Sequence, residues 1–392
     1  MHKINWGDII SVLEINLKAI KSNFELVKNK IKVGQKICVV VKANAYGFGA
    51  KEVVITLQKD ADYFAVSSAY EYFEINKLTS KPILILDPIY DENELKKLIG
   101  VGAELSVCNL FGLEKIIEVS SKLNKKAKVH IAINTGMNRF GFKEKREFVK
   151  LLNTVKKTQN LCVLGVFSHY FQANNKNFAN LQYNKFNDIK LFFDQNLPEI
   201  KLFHLANSDG LEYKNGFDMV RVGMALYTDK EFQTVSLSTK IVDVQNLSKG
   251  EVAGYDAVFK ATKSVKLASI QIGYGDGIFR NIAGRGYVLI NGKFSKIVAV
   301  CMDSMIVDIT EIDAKIGDEV TVIGKNGDNQ IFICDVASWC DTIDYEIIIG
   351  LAERVKRRYI SWGFLCKLLQ ANTEQENLMP FVATQQGQLL QG

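Results

Sequence analysis

The sequence predicts an α/β protein, an N-terminal (β/α)8 barrel followed by a C-terminal, mostly β domain. Three observations carry this reading. Eight short apolar runs recur before about residue 235, and they are continuous rather than alternating, as parallel strands covered on both faces should be. Helical patterns such as "NLKAIKSNFELVKN" and "NLQYNKFNDIKLFFDQ" separate them. From about Lys240 the texture changes to alternating, β-branched segments with tight glycine turns.

The expected barrel strands, in order, are Ile37–Ala43, Tyr63–Ser68, Pro82–Pro88, Ala103–Cys108, Lys128–Thr135, Val163–Tyr170, Leu202–Ser208 and Met219–Tyr227. Eight such units in series fit a closed barrel better than a doubly wound open sheet, the alternative. Four segments then read as strands of the second domain: "TKSVKLASIQIG", "GRGYVLINGKFSKIVAV", "MIVDIT" and "DEVTVIG". The division expected is 1–235 for the barrel, 236–365 for the β domain, and 366–392 for a polar, Gln-rich tail without fixed structure.

Composition narrows the setting. The chain has 392 residues, 47% of them hydrophobic, enough for two cored domains. Its net charge of +6 is spread along the chain, so no nucleic-acid footprint is expected. No run approaches the roughly 18 apolar residues of a membrane span. Asp8 interrupts the N-terminus before any apolar run of signal-peptide length. Seven scattered cysteines without a CxxC pair suggest reduced thiols and a cytoplasmic protein. The four histidines show no metal-ligand spacing, so no metal site is expected.

In a barrel, the carboxyl ends of the strands line the active site. Those ends offer Lys42 in "VVVKANAYGFGA", Arg139 just past strand five, His169, Asn207 and Ser208; Arg221 and Gly223 fall within the expected eighth strand. A lysine ending a strand is usually just solvated. An amine, two guanidiniums, an imidazole and a hydroxyl at neighbouring strand ends make a site.

The stretches "VVKANAYGFGA", "NTGMNRFGF", "FSHYF", "HLANSDG", "VRVGMALY", "IGYGDG" and "CMDSM" occur in an order similar to that of the alanine racemases, enzymes that use pyridoxal 5'-phosphate (PLP). The resemblance implies an isomerase that interconverts L- and D-alanine, supplying D-alanine for peptidoglycan. It implies that Lys42 holds PLP as a Schiff base and serves as one acid/base group, with Tyr274 as the second on the opposite face of the substrate. A phenol titrating near pH 10 needs help to act as a base, and His169 with Arg221 is expected to give it. Arg221 would face the pyridine nitrogen, where a donor-only guanidinium cannot take a proton. Tyr46, Ser208 and the amides of Gly223 and Met224 would hold the phosphate, with Asn207 and His169 bounding the ring. Arg139 and the Met302 amide would bind the substrate carboxylate. The family's β domain reaches the neighbouring subunit's lysine pocket, so a homodimer with shared sites is implied, with a small amino acid as its substrate and no nucleic-acid or membrane partner.

The sequence departs from this pattern in three places. Phe48 replaces the usual histidine of the lysine turn. Ala132 stands where many members carry a carbamylated lysine that orients the substrate arginine, leaving Arg139 to be held by Asn134 or a bound chloride. Glu353 stands where some members have a phosphate-binding tyrosine, and that role does not carry over. The segment "AIN" at 132–134 resembles broad-specificity amino-acid racemases, which keeps that activity as an alternative. A barrel that binds PLP without turnover is another, though residues 240–350 and Tyr274 fit it poorly. A decarboxylase of the same architecture fits "IGYGDG" and "GMNRFG" poorly as well.

Overall fold

The computed structural model describes residues 11–212, 217–228 and 232–361. The expected tail, 366–392, lies outside them. A first strand, β1 (Val12–Asn16), precedes helix α1 (Leu17–Lys30), whose N-terminus is capped by the Asn16 side chain. Eight strands then follow in the first half of the chain: β2 (Lys36–Val40), β3 (Tyr63–Val66), β4 (Ile83–Ile85), β5 (Glu104–Val107), β6 (Ala127–Ala132), β7 (Leu161–Phe167), β8 (Leu202–His204) and β9 (Met219–Val222). They pair in parallel in the order β8-β7-β6-β5-β4-β3-β2-β9. Closure between the two ends comes from Asp218 N donating to Phe203 O at 2.8 Å and Arg221 N donating to Ala206 O at 2.9 Å. The eight-stranded parallel barrel expected from the sequence is therefore present.

The strands are shorter than the apolar runs suggested, and most of the losses fall at their carboxyl ends. The eighth stops at Val222, and Met224–Tyr227 turns into a helix. Gly223 therefore lies past the strand and not within it. The largest departure follows β2. Ala43, Asn44, Ala45 and Tyr46 all take left-handed backbone angles, with φ of 51°, 53°, 52° and 58°. Each such non-glycine residue costs roughly 1–2 kcal/mol, so neighbours must hold the turn. Glu71 accepts from Ala43 N at 2.7 Å, and Asn44 Oδ1 accepts from Ala50 N at 2.8 Å.

The second sheet has nine strands. Besides β1 they are β10 (Val235–Leu247), β13 (Val265–Ile270), β14 (Tyr287–Ile290), β15 (Lys293–Val300), β16 (Met305–Asp308), β17 (Glu319–Asn326), β18 (Asn329–Ile331) and β19 (Lys356–Ile360); β11 (Val252–Ala253) and β12 (Phe259–Lys260) form a separate ribbon. All four segments read as strands lie in it. Successive antiparallel pairings β10-β13-β16-β15-β14-β17, with β17 pairing back to β10, close six strands into a ring. Asn291 and Gly292, at φ 49° and 77°, make the hairpin joining β14 to β15, the turn that positive-φ residues favour. At the edge, β1 runs parallel to β19, so the two ends of the described chain both join the β-rich sheet. No helix among the described residues is long and apolar enough to cross a membrane.

Candidate active site

At the carboxyl ends of the barrel strands lies a cavity of about 310 Å³. Nine of the eleven residues singled out in the sequence line it: Lys42, Tyr46, Arg139, His169, Asn207, Ser208, Arg221, Gly223 and Met224. Tyr274 and Met302 do not, and both are exposed on the β-rich sheet's side of the molecule.

The left-handed turn directs the residues after Lys42 around the mouth and buries Tyr46. The Tyr46 hydroxyl lies against Gly223 so closely that a β-carbon there would sit 2.6 Å from it. Ser208 Oγ accepts from Gly223 N at 3.2 Å and from Ala225 N at 3.1 Å. With two amides donating to it, the hydroxyl's own proton is left to donate into the cavity. The Gly223 and Ala225 amides are thus engaged by Ser208, and the two hydroxyls, Tyr46 and Ser208, are the donors left for an anion at this wall of the cavity.

Arg221, on β9, is buried and held from several sides. Its Nη2 donates to Ser168 O at 2.6 Å and to His169 Nδ1 at 3.2 Å; its Nη1 donates to His204 Nδ1 at 2.7 Å. Burial brings Arg221 down to about 10, with Arg139 adding repulsion, and it remains a cation at neutral pH. His169 is lowered to about 3 by burial, then by Arg221, Arg139 and Lys42, so it is neutral. Because Arg221 can only donate, the proton on the neutral His169 ring sits on Nε2, pointing away from Arg221.

Of the two anchors expected for Arg139, the Asn134 side chain is engaged elsewhere: its Oδ1 accepts from Gly136 N at 3.0 Å and Asn138 N at 3.1 Å, closing its own turn. The Arg139 guanidinium instead sits 4.7 Å from the centre of the Phe140 ring. Ala132 is buried with Cys108 and Phe167 in a small apolar cluster against which Phe140 packs. Tyr345 and Asp87 also line the cavity, and neither stands out in a reading of strand ends.

On the β-rich side, Tyr274 and Met302 are neighbours. Tyr274 N donates to Cys301 O at 3.0 Å and Gly275 N to Met302 O at 2.8 Å, zipping the two loops together. A β-carbon at Gly273 would lie 2.4 Å from Cys301 O, so glycine is required for that approach. Arg354 clamps the pair, with Nε 2.7 Å from Asp276 Oδ1 and Nη1 2.8 Å from Asp303 Oδ1.

A parallel barrel with a lysine, two arginines and paired hydroxyls at its mouth, joined to a closed β sheet, has the make-up of a two-part enzyme with a cavity suited to a small anion. The comparisons specify the class. Residues 15–231 match the model of the alanine racemase N-terminal domain and 234–359 that of its C-terminal domain. The alanine racemase of Thermodesulfovibrio yellowstonii is 33% identical over 361 residues, covering 88% of this chain and 97% of that protein. That of Methanococcus maripaludis is 32% identical over 366 residues, covering 88% and 98%. Among solved structures, the alanine racemase of Clostridium difficile superposes with a TM-score of 0.82 at 30% identity, covering 90% of this chain and 96% of that one. The Bacillus anthracis alanine racemase, solved with bound L-Ala-P, gives 0.83 at 28% identity, covering 91% and 96%. The chain belongs to the alanine racemase family and is an isomerase with alanine racemase activity.

Proposed function

We propose that this activity uses PLP at the barrel mouth, with Lys42 and Tyr274 as the two acid/base groups, in a homodimer whose sites are each built from two subunits. The observation that carries the reading is the division of the site. Nine candidate residues share one cavity, while Tyr274 and Met302 sit zipped together on an exposed surface outside it. A second copy is needed to bring the halves together.

The wall fits the cofactor's phosphate: the Ser208 proton and the Tyr46 hydroxyl are donors lining the cavity, and Gly223, whose amide donates to Ser208, has no side chain to keep Tyr46 away. When bound, the cofactor withdraws electrons from the substrate Cα and so acidifies its proton. Lys42 would hold the cofactor and move a proton on one face. The partner subunit's Tyr274 would move it on the other, since racemisation returns the proton to the face opposite its removal. His169 contributes its Nε2–H as a donor to the phenol oxygen, favouring the phenolate. Arg221 would meet the cofactor's ring nitrogen without giving up its own charge, which restrains electron withdrawal and disfavours side reactions. Arg139 would bind the substrate carboxylate with its planar fork, assisted by the amide of the partner subunit's Met302.

Incubating the purified protein with L-alanine in D₂O tests the reading. Cα deuteration should accompany D-alanine formation, and both should vanish when the cofactor is removed and return when PLP is added. Exchange that persists without PLP would overturn it. The product's destination is proposed to be peptidoglycan, with the enzyme acting in the cytoplasm, consistent with the unpaired cysteines among the described residues. Deleting the gene should make growth depend on added D-alanine, and a strain that grows unaided would remove that assignment.

A further inference from the structure

Behind the cavity, inside the barrel, the chain of contacts that begins at His169 does not stop at Arg221. His204 Nε2 lies 3.0 Å from His130 Nδ1, and His130 Nε2 lies 2.9 Å from Glu104 Oε2. Glu104 is 4% exposed, His130 and His204 are 0%, and Arg221 is 4%. Strands β5, β6, β8 and β9 each contribute one member, so the chain crosses the barrel interior. Gly165, on β7, is shaped around it: a β-carbon there would lie 2.6 Å from His130 Nδ1.

The direction of every hydrogen bond follows from one end. Arg221 has donors only, so His204 Nδ1 must accept. Burial and Arg221 hold His204 neutral, which places its proton on Nε2, facing His130 Nδ1. That nitrogen then accepts, so the His130 proton is on Nε2, facing Glu104. A carboxylate oxygen is the acceptor that completes the series. Charge leads to the same residue. Every polar contact of Arg221 is to a neutral group, namely the carbonyls of Ser168, His204 and Leu205 and the two imidazoles. A buried cation without a counter-charge is costly. Among the described residues the buried carboxylates are Glu104 and Asp276, and Asp276 belongs to the Arg354 clamp on the β-rich side.

We propose that Glu104 is a positioning residue for racemisation: its carboxylate terminates the buried chain Arg221–His204–His130, balances the Arg221 charge, and thereby holds Arg221 and His169 in their donating arrangement at the cavity. The catalytic consequence rests on the proposed roles of Arg221 and His169. The arrangement of protons does not, because it follows from the contacts alone.

The test uses full-length protein labelled with ¹⁵N-histidine. The chain has four histidines, and a two-bond ¹H–¹⁵N spectrum separates the Nδ1–H, Nε2–H and doubly protonated forms. At neutral pH, His130, His204 and His169 should all show the Nε2–H pattern. A proton on Nδ1 of His130 or His204, or a doubly protonated ring at either, would overturn the assigned direction without any variant being made. Glu104→Gln keeps an acceptor but removes the charge. It should lower kcat for alanine about three- to thirtyfold, leave KM within about twofold, and move the His130 Nε2–H proton upfield as its hydrogen bond weakens. Glu104→Gln with native kcat and an unmoved His130 resonance would show that any acceptor suffices and would sink the counter-charge role. Should the variant fail to fold, the wild-type spectrum still decides the direction. Absence of alanine turnover with the three Nε2–H patterns intact would count against the functional reading and leave the chain standing.

Discussion

The barrel mouth and the exposed loops after β13 and β15 (the edge) are, on the proposed reading, two halves of one chemistry, and they are built differently. At the mouth, Arg221 sits on β9 and the other functional side chains follow strand ends. Burial is deep for some of them: Arg221 is 4% exposed and Tyr46 8%, Lys42 and His169 are partly buried, and Arg139 is exposed. At the edge, Tyr274 is 40% and Met302 54% exposed, and two short loops hold them through backbone hydrogen bonds and a single arginine clamp. The mouth is deep enough to tune charge, as the lowered His169 and Arg221 show. The edge is shaped before it has a cavity to act on. What the contrast teaches is that geometry can be prepared on a surface, whereas electrostatics needs burial, which the proposed homodimer would give the edge.

The largest expected effect comes from breaking each half separately. Lys42→Ala should abolish racemisation and the protein's visible cofactor absorbance after dialysis. Tyr274→Phe should slow both directions by about 10²–10⁴-fold, the usual worth of a general acid or base. It should still exchange the α-proton of one enantiomer through Lys42. Mixing the two inactive proteins should then restore about a quarter of native activity. In a random twofold assembly half of the dimers are hybrids, and each hybrid holds one intact site. If demonstrated subunit exchange restores nothing, the edge of each chain serves its own mouth and the sites are not shared.

The edge alone can be loosened at Arg354. Arg354→Gln removes the bonds to Asp276 and Asp303 and leaves the mouth untouched. Small displacements of catalytic groups are expensive, so kcat/KM should fall about ten- to a hundredfold. Cofactor affinity should stay native. Weakened PLP binding with normal kcat would mean the clamp supports the mouth instead.

The mouth should respond to acid through His169. His169 has an ordinary value of 6.5 and about 3 in the fold. Its folded value is depressed, so the unfolded chain binds more protons between these limits, and stability is lost as pH falls below about 6.5. Partial exposure of the ring limits the effect to on the order of 1–2 kcal/mol by pH 5. His169→Gln should therefore flatten the fall of the unfolding midpoint with pH. Equal slopes for variant and wild type would mean that His169 is not the buried neutral group.

Much of the mouth was legible because barrels place functional side chains at strand ends, and Lys42, His169 and Ser208 are unusual residues to find after apolar runs. The left-handed turn from Ala43 to Tyr46 was not, since alanines carry no mark of positive φ and the turn is held by Glu71, distant in sequence. Asn134 was misread for a definite reason. Alternation along a strand put it beside Ala132, and both do line the cavity, but its side chain closes the turn to Gly136 and Asn138. The histidine chain was hidden by separation: Glu104 and His130 lie 26 residues apart. Its local trace is a buried polar member in each of four short apolar strands, "ELSV", "AKVHIA", "LFH" and "MVRV".

The smallest expected effect concerns how Arg139 is steadied, and it bears on substrate range. Phe140 offers its ring face to the guanidinium at 4.7 Å, and Ala132, Cys108 and Phe167 fill the space behind with apolar atoms. A cation over a ring at an exposed site contributes about 0.5–1 kcal/mol, so Phe140→Leu should raise KM for alanine by about two- to fivefold with kcat nearly unchanged. A guanidinium steadied by a ring has more freedom than one locked by a charged partner, which would admit substrates whose carboxylates sit slightly differently. Set against that is the small cavity, about 310 Å³, which the cofactor would share. Alanine should therefore remain the best substrate, with serine detectable and lysine and arginine poor. Comparing kcat/KM for the four amino acids in chloride and in acetate separates the possibilities. A drop for alanine in acetate would mean that a bound anion, and not Phe140 alone, steadies Arg139. Lysine or arginine outrunning alanine would mean that the loosely held arginine governs specificity and that the broad-specificity reading is the correct one.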